Sequence, residues 1–115
     1  MSELTAGEGV DAAALPLVHE PLPAEEALIG KPTAAVHELA TIGGVEVGIW
    51  EMTPGTASDT EVDEVFVVLA GHARIEFVEP ALPAIEVDPG AVVRLAAGQR
   101  TVWTVTETLR KVYIA

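Results

Sequence analysis

The sequence predicts an all-β domain, a sandwich or barrel, and three observations carry that expectation. From Ala34 onward the runs are short and apolar residues recur with a period of two. Glycine or proline separates nearly every run, as at Gly43-Gly44, Pro54-Gly55 and Pro89-Gly90. Almost nothing reads as helix, and no internal repeat of fixed period is visible.

The elements follow in order. Residues 1–30 hold six acids and no lysine or arginine, and the first dozen read as a mobile tail. Leu15-Pro-Leu-Val-His19 and Pro21-Leu-Pro23 then suggest an extended arm. A short helical turn stopped by Gly30 closes it. Leu15, Leu17, Val18 and Leu22 call for a surface, so the arm is expected to dock on its own barrel or on a partner's. Ala35 to Ile42 and Val45 to Met52 form a hairpin about Gly43-Gly44. Thr53-Pro54-Gly55 ends it, and Ser58 to Asp63 reads as an acidic loop. After the Glu64 strand and a turn at Ala70-Gly71, residues 73–79 place Ala73, Ile75 and Phe77 opposite His72, Arg74 and Glu76. A loop from Glu79 to Pro83, a strand from Ala84 to Val87 and a turn at Asp88-Pro89-Gly90 follow. Strands Ala91 to Leu95, Thr101 to Thr106 and Leu109 to Ile114, separated by Ala97-Gly98 and by Glu107, complete a domain spanning 31–115.

The chain is organised around Glu64-Val-Phe-Val-Val-Leu-Ala-Gly71. Glu64, Phe66 and Val68 share one face, and Val65, Val67 and Leu69 the other. Apolar faces on both sides mark a core strand. Glu64 then points inward, which costs several kcal/mol unless it is paired or hydrogen-bonded.

Composition narrows the function classes. The 115 residues allow one domain, and half of them are apolar. Eighteen acids against six bases give a formal charge of −12, which opposes binding to nucleic acid or an anionic membrane. No apolar run approaches a spanning helix, and no basic-then-apolar leader opens the chain, so a cytoplasmic protein is expected. Without cysteine there is no disulfide, thiolate nucleophile or zinc-thiolate site. A Gly-x-Ser-x-Gly elbow, a serine with a histidine neighbour and a phosphate-cradling loop are also missing.

Two spacings carry a resemblance. Gly55 precedes Glu64, which is followed by six residues and Gly71; Gly90 is followed by five residues, Ala96-Ala97-Gly98, and two more to Thr101. Val47-Gly-Ile-Trp-Glu51, Thr53-Pro-Gly55, Asp63-Glu64, Trp103 and Glu107-Thr-Leu-Arg-Lys-Val-Tyr113 accompany them. Over roughly residues 30–115 the chain resembles the cupin superfamily, in particular small single-domain cupins related to ureidoglycine aminohydrolase and ethanolamine-utilisation cupins. The resemblance implies a double-stranded β-helix, or jelly-roll barrel, behind the N-terminal arm. Metal-binding members of the family use three histidines and the glutamate. Here only Glu64 matches. The paired histidine positions fall on Ala57 and Asp59 or on Ser58 and Thr60, the later one on Thr101, and the asparagine on Val105. A carboxylate and a hydroxyl make a poor transition-metal cage, so no metal at that site and no cofactor is expected.

The expected pocket residues are Glu64, Thr101, Trp103, Arg94, Phe66, Thr60 and Trp50. Glu64 is either a ligand-binding or acid/base carboxylate or a relic satisfied by Thr101, Trp103 or a backbone amide. Trp103 lines or plugs the barrel, a plug being favoured on volume. Arg94 interrupts an apolar run and suits a carboxylate. Trp50 also reads as core packing. The acids Asp59, Glu61, Asp63 and Glu64 lack the spacing of a calcium loop and read as solvated. His19 and His37 have no spaced partner, His72 reads as exposed, and Arg100, Arg110 and Lys111 read as partners for the acids. No catalytic residue is assigned. The expected function is a metal-free cupin that binds a small polar or carboxylated molecule. Its rivals are a metal-dependent aminohydrolase- or lyase-like enzyme and a structural dimer with a filled barrel. The doubly apolar strand and the arm predict a homodimer.

Overall fold

The computed structural model describes residues 3–115, and among them there are nine strands and no helix. These are β1 (Glu20–Pro21), β2 (Ala27–Ile29), β3 (Thr33–Ile42), β4 (Val45–Met52), β5 (Gly55–Thr60), β6 (Glu64–Glu79), β7 (Leu82–Val87), β8 (Val92–Leu95) and β9 (Arg100–Ile114). All pairings are antiparallel. β9 is the hub: its second half pairs with β4, its first half with β5, and β6 runs beside it throughout. β6 also carries β7 and β8, while β1 and β2 extend the sheet at β3 and β5. A sheet in which two long strands each serve partners on both sides must curl, and this one closes into the jelly-roll barrel that the resemblance implied.

The alternation decides what lies inside. Thr101, Trp103, Val105, Leu109, Lys111 and Tyr113 occupy one face of β9, and all are buried. Phe66 and Val68 meet them from β6, Met52 from β4 and Ala57 from β5. Each large apolar side chain so buried contributes about 1.5–3 kcal/mol.

Several expectations at element level change. Ala70-Gly71 is not a turn but a bulge inside a continuous β6, where the register against β9 shifts and the inward face passes from Phe66 and Val68 to Ala73 and Ile75. Gly71 has a φ of 89°, and a side chain there would overlap the Thr108 carbonyl, so the two long strands can approach only at glycine. Glu107 likewise lies within an unbroken β9. Ser58, Asp59 and Thr60 belong to β5 rather than to a loop, because each finds a ladder partner on β9. β7 begins at Leu82, two residues before the expected start.

The arm docks on its own barrel. Leu4 N–H donates to the Leu39 carbonyl (2.7 Å), which ties the tail to β3 at that point. Arg110, on the outer face of β9, donates through Nη1 to the carbonyls of Ala12, Ala13 and Leu15 at 3.0, 3.3 and 2.7 Å. Its Nε binds Glu51 (2.6 Å), which also takes His19 Nε2 (2.6 Å). Of the apolar arm residues, Leu22 packs on the core, but Val18 is 87% exposed and covers nothing. The helical turn spans only Pro23 to Ala27, because Ala27–Ile29 pairs with β5 instead.

Candidate functional site

The barrel opens on a cavity of about 570 Å³, with Trp50, Met52, Glu61, Glu64, Trp103 and Lys111 among its walls. Leu22 and Glu26 of the arm reach it as well, so the arm completes the site that the barrel strands begin.

Lys111 is the cation of this cavity. Its Nζ donates to Glu64 Oε2 at 2.6 Å, with the two side chains 7% and 10% exposed. The same nitrogen stands 4.3 Å from the Phe66 ring centroid, 4.8 Å from Trp50 and 4.9 Å from Trp103. Three π-faces and a carboxylate thus surround one ammonium, an arrangement that holds a desolvated charge. The rings support one another: Trp103 lies 5.7 Å from Trp50 and 5.5 Å from Phe66, both tilted.

Glu61 is a second inward carboxylate, only 6% exposed. Thr101 Oγ1 donates to its Oε2 at 2.6 Å and Trp103 Nε1 at 3.0 Å. Burial pushes the Glu61 carboxyl above its ordinary value against the pull of the Thr101 bond, and the charge of Asp59 pushes it further. Asp59 is exposed, yet partial desolvation at the cavity wall raises its carboxyl too, with the charges of Glu26 and Glu64 adding to the effect. At the far end Tyr113 donates its hydroxyl to Glu46, and burial followed by that carboxylate drives the phenol well above its usual range.

The expected residues divide. Glu64, Trp103 and Trp50 line the cavity, while Thr101 and Phe66 are sealed directly behind it. Trp103 forms wall rather than plug, because its indole is drawn back onto Glu61 and leaves the space in front open. Thr101 and Trp103 serve Glu61 and not Glu64, whose partner is Lys111; the inward carboxylate is neither alone nor unpaired. Arg94 is 59% exposed on the outer face of β8, 3.4 Å from Asp63, and does not enter the barrel. Thr60 is exposed and opens on a separate recess of about 290 Å³ beside Arg100. The acidic run is not uniformly solvated, since its second acid, Glu61, turns inward. Of the histidines, His72 is partly covered and bridges Asp88 (2.8 Å) and Glu86 (3.1 Å).

The donor set does not fit a transition metal. Ala57 and Asp59 face Trp103 and Thr101 across β5 and β9, so the first family position carries no donor atom. The Thr101 hydroxyl is committed to Glu61, and Lys111 holds Glu64. Among the described residues no three histidine or carboxylate side chains are grouped to hold an ion.

Comparison with known proteins agrees with this architecture. EutQ from Clostridium difficile superposes with a TM-score of 0.61 at 20% identity, over 72% of this chain and 67% of that one. A cupin superfamily protein from Desulfitobacterium hafniense gives 0.66 at 16% identity, covering 99% and 94%. A putative ethanolamine utilization protein Q from Salmonella typhimurium gives 0.62 at 14%, covering 87% and 96%. At these identities the likeness establishes the fold alone. A search of curated proteins returns no match. The profile of the EutQ-like cupin domain matches residues 39–113, from β3 to the end of β9, and by that match the chain belongs to the EutQ-like cupin family.

Proposed function

We propose that this cupin is a cytoplasmic, homodimeric binding protein that takes a small polar molecule into its barrel without a metal ion. One observation carries the reading: a cavity of about 570 Å³, the size of a small-molecule site, ends on aromatic walls and a few convergent polar groups. Lys111 spends one donor on Glu64 and has others to offer, and the rings beside it exclude water from one side. The open cavity speaks against a filled structural barrel, and the donor set against a metal-dependent aminohydrolase or lyase. With Arg94 outside and Lys111 already neutralised, a carboxylated ligand finds no free cation among the cavity walls, so the polar class is favoured. Dimerisation is supported by the outer face of β8, β6 and β9. There Val92 is 66% exposed beside half-buried Val67 and Val112.

A thermal-shift screen of small polar metabolites, run on the wild type and Glu64→Gln, tests the binding. At least one compound is expected to raise the wild-type melting temperature and to lose that shift in the variant. Stoichiometric manganese, iron, nickel or zinc in protein purified without chelator would overturn the metal-free reading. Light scattering after size exclusion is expected to give twice 12.0 kDa, and a monomer at micromolar concentration would refute the dimer.

A further inference from the structure

The polar groups on the walls are not balanced in charge. Glu26, Glu46, Asp59, Glu61 and Glu64 face the cavity with one lysine among them, and Lys111 is already matched by Glu64 at 2.6 Å. Four carboxyl groups are left over, and of these Glu46 takes the Tyr113 hydroxyl. Glu61 is fixed more firmly than a surface acid. Its backbone N–H donates to Gln99 O (2.8 Å), its carbonyl accepts from Gly98 (2.9 Å), and both side-chain bonds end on Oε2. Oε1 therefore has no donor among the described residues. It is not sealed in either, since His37 Nε2 is the one side-chain polar atom there that is both buried and unpartnered. A 94% buried carboxylate thus keeps one oxygen free on a cavity wall, with Asp59 beside it.

Resting on the binding reading above, we infer that the ligand is a small primary amine bound as its ammonium ion. The ammonium donates to Glu61 Oε1 and Asp59, and its alkyl part lies on Leu22, Met52 and Trp50. An ammonium supplies what these groups lack. It brings donors for the free oxygen, and its positive charge relieves the repulsion and desolvation that raise both carboxyls. A carboxylate would add a further negative charge to the same wall, and a neutral alcohol would leave the charges unmatched.

Three probes of equal size separate the possibilities: n-butylammonium, n-butanol and butyrate, titrated calorimetrically at constant ionic strength into the full chain. The indole N–H resonance of Trp103 locates the site. Butylammonium is expected to bind at least about tenfold tighter than either of the others, the scale of one charge-assisted hydrogen bond. Glu61→Gln and Asp59→Asn should each weaken it by about tenfold or more. Butanol or butyrate binding as well as butylammonium overturns the amine inference and leaves the pocket reading standing, and so does unchanged affinity in Glu61→Gln. If none of the three binds or moves the Trp103 signal, both readings fall. The three-probe comparison on the wild type needs no variant, so a Glu61→Gln protein that does not fold still leaves a decisive result.

Discussion

Replacing Lys111 by methionine keeps most of the side-chain volume and removes the charge, which isolates what the ion pair does. Nζ and Glu64 Oε2 are 2.6 Å apart and both side chains are nearly sealed. With an effective dielectric constant of about 20, the attraction at that spacing is roughly 6 kcal/mol. Desolvation costs several kcal/mol for each ion, so the intact pair contributes little net stability relative to an apolar pair. Breaking it is a different matter. Lys111→Met leaves the nearly sealed Glu64 without its counter-charge, and the expected loss is about 3–5 kcal/mol. That is a large share of the total for a domain of this size. Removing the carboxylate too, in Lys111→Met/Glu64→Leu, should return the protein to within about 1 kcal/mol of the wild type, or beyond it.

Urea denaturation of the wild type, both single variants and the double variant measures the cycle directly. The single losses should fail to add, with a coupling of about 3 kcal/mol or more, and the slopes should stay constant. A loss under about 1 kcal/mol in Lys111→Met would refute the reasoning. Strict additivity would refute it as well. Either result would mean that the ammonium does not stand between Glu64 and the three rings.

Other outcomes follow from single contacts. Gly48→Ala places a methyl group 2.5 and 2.6 Å from Cζ and Cε2 of Tyr113, so it should cost about 1–3 kcal/mol, and Tyr113→Leu in the same background should recover part of it in urea melts. Burial alone would raise the Glu51 carboxyl, but its bonds to Arg110 and His19 outweigh this and hold it below 4.5. The arm latch therefore contributes above that pH and is lost as pH falls through the lower folded value, and limited proteolysis should cut residues 5–18 faster in acid and in Arg110→Gln. The bond to Asp88, with smaller help from Glu86, raises His72 above 6.5. Its contribution is complete below 6.5 and disappears as pH rises through the raised value; an NMR titration should show the midpoint returning toward 6.5 in Asp88→Asn.

How far the sequence reaches is best judged at β9. Period-two alternation put Thr101 and Trp103 on the inner face. The same count, carried on without interruption, puts Leu109, Lys111 and Tyr113 there and Arg110 on the outside. The signal for Lys111 was thus present. Reading Glu107 as a break hid it, because a charged residue between two apolar runs looks like a turn when the strand spanning it is unknown. The fold was legible because glycine spacing and alternation are local. The partners of Glu61 are not, for Thr101 and Trp103 lie 40 and 42 residues away. Within the run Asp59-Thr-Glu-Val-Asp-Glu64 nothing distinguishes Glu61, the most buried of these acids, from its neighbours. What distinguishes it is the fold: β5 pairs with β9 as far as Thr60, and the next residue is turned onto the indole. A carboxylate so placed is stable only with donors already in position, and Thr101, standing where the family pattern has a histidine, supplies the shorter of its two bonds. Thr101, which departs from the metal-binding pattern, thus holds a different acid, and both side-chain bonds to that acid end on one of its oxygens.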